Sequence, residues 1–226
     1  MMKTCIFVLM ISLSVTVLSQ SLPKVFYIAG FKSTSTDMQS WKKQFQKNQN
    51  YSQHLTFEAF NLPSTQSSKE AVLKDGEKLV DSIVQEIDQS PSGSEFVLVG
   101  HSSGSALTNE VAKRVQKKSK IKLVVLDGFV PKEVPKEVEV FCWSATNPKS
   151  GLKSLNTEGM KTCTRYQEIK SVNCRTKQCL HFSIVNSAVL FNLSDLSEGY
   201  ENLTPNLSWL DKFIKLNPIK SGEPVR

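Results

Sequence analysis

Histidine is scarce in this chain. Its 226 residues include three, at positions 54, 101 and 181, so any reaction needing an imidazole base must use one of them. Beyond the first 19 residues no unbroken apolar run reaches the length of a membrane-spanning helix, which excludes a helical anchor there. No segment repeats and no Pro/Gly/Ser-rich tract of linker length interrupts the pattern. One domain over residues 20–226 is therefore expected. Metal-ligand spacing is also missing. Cys174-x4-Cys179 has one histidine nearby, which is not the layout of a zinc site, and neither metal nor cofactor is expected. The formal charge is +7, but the lysines are dense only between 113 and 122 and no aromatic residues interleave with them. That pattern reads as a solvated helix face and excludes a stacking groove for nucleic acid.

The first 19 residues carry the features of a secretory signal. Lys3 supplies the positive end, an apolar stretch begins at Ile6–Met10, and Ser12, Ser14 and Thr16 break it before Val17-Leu18-Ser19. Secretion is the expectation, with Cys5 leaving alongside the signal. Four cysteines then remain, Cys142, Cys163, Cys174 and Cys179. An even number in a secreted chain points to disulfides. Four cysteines allow three pairings and the sequence does not choose among them. Cys142–Cys163 with Cys174–Cys179 is the pairing we favour. Asn50, Asn192, Asn202 and Asn206 each begin an Asn-x-Ser/Thr sequon, which makes them candidate glycosylation sites in a eukaryotic source. A monomer is expected.

Strand-like segments, several of them continuously apolar and Leu55–Phe60 alternating, are interspersed with helical patterns. Val25–Gly30, Leu55–Phe60, Phe96–Val99, Ile121–Leu126, Val138–Trp143 and Tyr166–Val172 read as strands. Residues 32–38 read as a Ser/Thr loop and Trp41–Phe45 as helix, while Ser67 with Glu70 resembles a capping box. Leu79, Val80, Ile83, Val84 and Ile87 line one face of the next helix, with Gly76 weakening its first half. A helix is expected over Ser105–Lys118, striped by Leu107, Val111 and Val115. Ser144–Gly159 reads as loop, and Trp209, Phe213 and Ile214 mark a terminal helix. The alternation predicts an α/β fold whose mostly parallel central sheet has helices on both faces.

Within this frame lies Gly100-His101-Ser102-Ser103-Gly104, a G-x-S-x-G pentapeptide behind an apolar strand and ahead of a helix. That is the context of a nucleophile elbow, a sharp turn that lifts the Ser102 hydroxyl clear of the sheet. A serine hydroxyl needs a neutral imidazole to take its proton, and the imidazole needs a carboxylate to fix its tautomer. The order serine, acid, histidine of such folds selects His181, since His54 precedes the nucleophile and His101 sits inside the elbow. Asp127, at the end of the strand after the elbow helix, is the preferred acid. After the following strand no carboxylate appears until Glu158. The backbone N–H groups of Ser103 and Phe31 are the expected oxyanion donors.

These segments resemble a known family. Gly100–Leu107, Glu110-Val111-Ala112 and Leu123–Gly128 look like the thioesterase domains of animal fatty-acid synthases and of peptide and polyketide synthetases, within the α/β-hydrolase superfamily. Val25–Phe45 resembles their first strand and oxyanion loop, and His181–Val185 their histidine segment. The likeness spans about residues 24–215. It implies Ser102 as nucleophile, Asp127 as acid, His181 as base and Phe31 and Ser103 as backbone donors, acting on a small acyl ester or thioester. Three features depart from the family. Phe129–Glu137 leaves nine residues where a helical lid is usual, so no lid or a minimal one is expected. Cys179-Leu180 replaces the family's Gly-Asp before the histidine. The family is mostly intracellular. The alternative is a catalytically silent hydrolase-like protein that binds a lipid or a partner.

Overall fold

The computed structural model describes residues 22–116, 121–133, 135–161, 163, 165–185 and 207–216. The expected signal segment and Asn192, Asn202 and Asn206 lie outside the described residues. So do Lys117–Lys120, within the lysine-dense stretch. Asn50 falls in a short helix, and its side chain is likewise not described.

Among the described residues seven strands form one sheet. They are β1 (Lys24–Ile28), β2 (Thr56–Phe60), β3 (Phe96–His101), β4 (Ile121–Leu126), β5 (Glu139–Asn147), β6 (Leu152–Lys153) and β7 (Arg165–Lys170). The order is β2-β1-β3-β4-β5, with β7 pairing along β5 and β6 pairing at its end. Every pairing is parallel except the two-residue β5–β6 contact. Val97, Leu98, Val99, Leu123, Val124 and Val125 are at most 4 % exposed. Central parallel strands covered on both faces cannot alternate apolar with polar, and so read as unbroken apolar runs.

Two helical layers cover the sheet. On one face lie α1 (Ser35–Lys47), α7 (Lys177–Ser183) and α8 (Ser208–Leu216). Met38, Trp41, Phe45, Leu180 and Phe213 pack there on Tyr27, Val99, Phe141 and Trp143. Trp41 stacks on Tyr27 with ring centroids 4.5 Å apart. On the other face lie α3 (Lys69–Asp75), α4 (Glu77–Gln89) and α5 (Gly104–Arg114), whose Val72, Val80, Ile83, Ile87, Leu107 and Val111 pack on Phe26, Leu98 and Leu123. The remaining helices among the described residues are α2 (Gln49–Ser52) and α6 (Thr157–Met160). No described helix is long and apolar enough to cross a membrane.

Several expectations need correction. The helix expected at Trp41 begins at Ser35, because Thr34 and Asp37 form a capping box inside the segment read as loop. The cap of α3 is Ser68, not Ser67: its hydroxyl accepts the Ala71 N–H. Gly76 does more than weaken a helix, since it divides α3 from α4. The strand expected to end at Trp143 continues to Asn147, and the segment read as loop after it contains β6 and α6. Polar Ser144, Thr146 and Asn147 hid that continuation. Ser144 and Asn147 are nonetheless buried, with Ser144 against the Tyr166 hydroxyl at 2.7 Å and Asn147 donating to the carbonyl of Cys174.

Candidate active site

The carboxyl ends of β3 and β4 lie side by side, with His101 opposite Leu126 in the register. The next residue on each strand leaves the sheet with a positive φ, +51° at Ser102 and +41° at Asp127. Left-handed backbone is costly for a residue with a side chain, and concentrates where a site holds it in place. Hydrogen bonds hold both here. Ser102 N–H donates to the Leu126 carbonyl at 3.0 Å, and Asp127 N–H to the Trp143 carbonyl at 2.8 Å. The strain of the elbow therefore sits on the serine itself, and its two glycines serve close approach instead. A Cβ on Gly104 would lie 2.3 Å from the Ala29 carbonyl oxygen, and one on Gly100 would lie 2.4 Å from Ser105 Cα.

Asp127 is fully buried and His181 is 4 % exposed. His181 Nδ1 stands 2.5 Å from Asp127 Oδ2. An ionised carboxylate accepts, so this contact places a proton on Nδ1 and leaves Nε2 free to act as a base. The other carboxylate oxygen, Oδ1, accepts the Asn156 backbone N–H at 3.0 Å, while the Asn156 side-chain amide donates to the Asp127 carbonyl at 2.7 Å. Asn156 was missed in the sequence because it lies in the stretch read as loop. Ser105 was missed too. Its hydroxyl donates to the Ser102 carbonyl at 2.5 Å and accepts the Phe129 N–H at 2.6 Å, tying the elbow to the chain leaving Asp127. No sequence motif marks either residue.

The rival acid is placed elsewhere. Glu158 pairs with Lys153 and Lys161 at 2.9 and 3.3 Å, its side chain 72 % exposed, and those ammonium groups hold its carboxyl below the usual value. His54 lies in the turn after α2, its N–H donating to the Tyr51 carbonyl. His101 ends β3, is fully buried, and packs its ring against that of His181 with centroids 4.7 Å apart. Burial, and then the neighbouring His181, push its imidazole well below the ordinary value. No hydrogen bond joins the Ser102 hydroxyl to His181 among the described residues. That contact is commonly loose before substrate binds.

Of the two expected oxyanion donors, Phe31 has its N–H directed at the Ser103 hydroxyl, 3.0 Å away. The loop carrying it turns through Lys32 at φ +66°. Ser103 is 4 % exposed and stands just ahead of α5. The two positions are thus neighbours, and a substrate oxygen seated on Phe31 N–H would take the place of the Ser103 hydroxyl.

Cys142 and Cys163 are paired, as are Cys174 and Cys179, the pairing favoured from the sequence. The chain-entropy relation assigns about 3 kcal/mol to the 21-residue closure and about 2 kcal/mol to the five-residue one. The short bridge matters more for position. It closes the turn into α7, a seven-residue helix that carries His181, alongside the Thr176 cap. Cys174→Ser/Cys179→Ser should therefore displace His181 and lower any turnover that depends on it roughly tenfold. Ester hydrolysis measured beside thermal melting checks this, and the loss of activity should exceed what the lowered melting point explains.

A cavity of about 970 Å³ opens next to the chain leaving Asp127, lined by Gly128, Phe129, Val130, Val138, Leu155 and Asn156 among others. It occupies the region where the β4–β5 connection runs without a helix. Neither Ser102 nor His181 lines it.

Residues 38–139 match the family described as Thioesterase domain. The chain has an α/β fold, a mostly parallel sheet covered by helices on both faces. The match includes Ser102 and Asp127 and leaves Phe31 and His181 outside, and it bears out the family resemblance stated from the sequence. No curated protein matches this chain. Among solved structures, a protein of the alpha/beta hydrolase superfamily from Xanthomonas campestris pv. campestris is similar at 12 % identity and TM-score 0.44, over 66 % of this chain and 87 % of that one. The catalytic core domain of acetyl xylan esterase from Trichoderma reesei is similar at 11 % identity and TM-score 0.42, over 72 % of this chain and 91 % of that one.

Proposed function

We propose that this protein is a secreted serine hydrolase that cleaves acyl thioesters or carboxylic esters through an acyl-serine intermediate. The observation that carries the reading is the buried Asp127–His181 contact of 2.5 Å, at the sheet rim where Ser102 turns out of β3. Ser102 is the nucleophile. Its Oγ attacks the acyl carbon while His181 Nε2 takes the hydroxyl proton and Asp127 stabilises the resulting imidazolium. The N–H groups of Ser103 and Phe31 receive the oxyanion. The bond to the leaving sulfur or oxygen then breaks, and His181 returns its proton to that atom. Water attacks the acyl-enzyme with its proton passing to Nε2, and collapse releases the acid and restores the Ser102 hydroxyl. The paired cysteines support an oxidising compartment.

The contact between Phe31 N–H and the Ser103 hydroxyl favours a second reading, a silent scaffold whose oxyanion site is closed. A fluorophosphonate probe separates the two. The reactive enzyme is labelled at Ser102, and Ser102→Ala is not. Failure of the folded wild-type protein to label between pH 6 and 9 would establish the silent scaffold.

A further inference from the structure

His101 is the second residue of the pentapeptide and has no part in the reaction above. Here a titratable ring lies at 0 % exposure, and its Nε2 stands 3.3 Å from the carbonyl oxygen of His181. A carbonyl can only accept, so the ring nitrogen facing it must carry the proton. The same ring packs on the His181 imidazole at 4.7 Å, tilted by 34°, with Phe182 at 6.1 Å on the same helix. Backbone and side chain of the proposed base are thus both held by one residue, reaching from β3 across to α7.

We propose that His101 is a positioning residue for His181, its Nε2–H fixing the His181 backbone and its ring face fixing the imidazole against Asp127. The inference rests on His181 being the general base. It requires His101 to stay neutral throughout turnover, because a second cation beside the imidazolium of His181 would oppose proton transfer from Ser102. Burial secures this. Among the described residues His181 on α7 faces the ring, with Asp127 at the end of β4 beyond it. A native imidazole held neutral contributes stability above the unfolded-state value of about 6.5 and loses it as pH falls below that value. Wild-type folding should weaken by up to an additional factor of ten per pH unit there, relative to His101→Phe.

The test uses His101→Phe, which keeps a ring and removes the donor, and His101→Gln, which restores an N–H near the Nε2 position. His101→Phe should lower kcat ten- to a hundredfold with KM within about twofold, and should broaden or shift the downfield proton resonance of His181 Nδ1–H. His101→Gln should recover most of kcat. Wild-type kcat and an unchanged resonance in His101→Phe would overturn the proposal, as would His101→Gln performing no better than Phe. If neither variant folds, nitrogen-15 spectra of the wild-type histidines decide. A neutral His101 protonated on Nε2 supports the role, and the Nδ1–H tautomer ends it. Wild-type protein that fails to label with fluorophosphonate would instead remove the hydrolase reading, leaving the resonance and tautomer results to judge the contact by itself.

Discussion

Asp127→Asn should cut kcat about ten-thousandfold while leaving the protein folded and KM within a few-fold. The geometry explains why so small a change costs so much. Asp127 Oδ1 accepts the Asn156 N–H and Oδ2 faces His181 Nδ1, so both oxygens meet donors. An asparagine has one acceptor oxygen and one NH2 group. If its oxygen stays on Asn156 N–H, the NH2 group faces His181 and the imidazole must move its proton from Nδ1 to Nε2. The nitrogen left for Ser102 is then already protonated and cannot act as base. If the amide turns over, Asn156 N–H meets an NH2 group and one of the two hydrogen bonds joining Asn156 to residue 127 is lost. Steady-state hydrolysis of a p-nitrophenyl ester, with circular dichroism as the folding control, measures the effect. Glu158→Gln is the comparison. Glu158 is exposed and engaged by Lys153 and Lys161, so that variant should stay within about twofold of wild type. A near-normal Asp127→Asn with an inactive Glu158→Gln would reverse the assignment of the acid.

What the sequence disclosed follows from which interactions leave a local mark. Central strands with two apolar faces disclose themselves, and Ile121–Leu126 has the predicted boundaries, even though Lys122 interrupts its apolar run at a half-buried position. The strain at Ser102 and Asp127 was only half visible. The pentapeptide and Asp127-Gly128 announced turns, but not that the non-glycine residues would take the positive φ. Interactions between distant segments left no mark. Asn156 reaching Asp127, Ser105 reaching Phe129 and His101 beneath His181 depend on where the sheet places them. The same holds for Asn147, whose polar side chain shortened the predicted β5 and which pays its burial cost by bonding the Cys174 carbonyl. His181 was placed after the last strand with no helix assigned, because seven residues are too few to show a periodic face.

Gly104→Ala should cost about 3 kcal/mol of stability, although alanine is normally the better helix former. Gly104 is the first residue of α5 and has no positive φ to justify glycine. Its need is spatial. The added methyl would lie 2.3 Å from the Ala29 carbonyl oxygen and 2.4 Å from that of Ile28. Both obstacles are backbone at the end of β1, and Ala29 N–H is itself bonded to the Phe60 carbonyl. No side-chain rotation can relieve the clash, so the elbow must lift off the strand. The same movement would separate Ser103 from Phe31, whose contact spans this gap, and would disturb both proposed oxyanion donors. Activity should therefore fall further than the folded fraction does. Gly159→Ala supplies the control, since a methyl there meets nothing within 4 Å and the change should be neutral or slightly stabilising. For a domain of this size the predicted loss corresponds to a fall in Tm of roughly 6–12 °C, measured by thermal denaturation. A fall under about 2 °C would mean that the elbow can yield, and that its fit against β1 does not hold Ser102 in place.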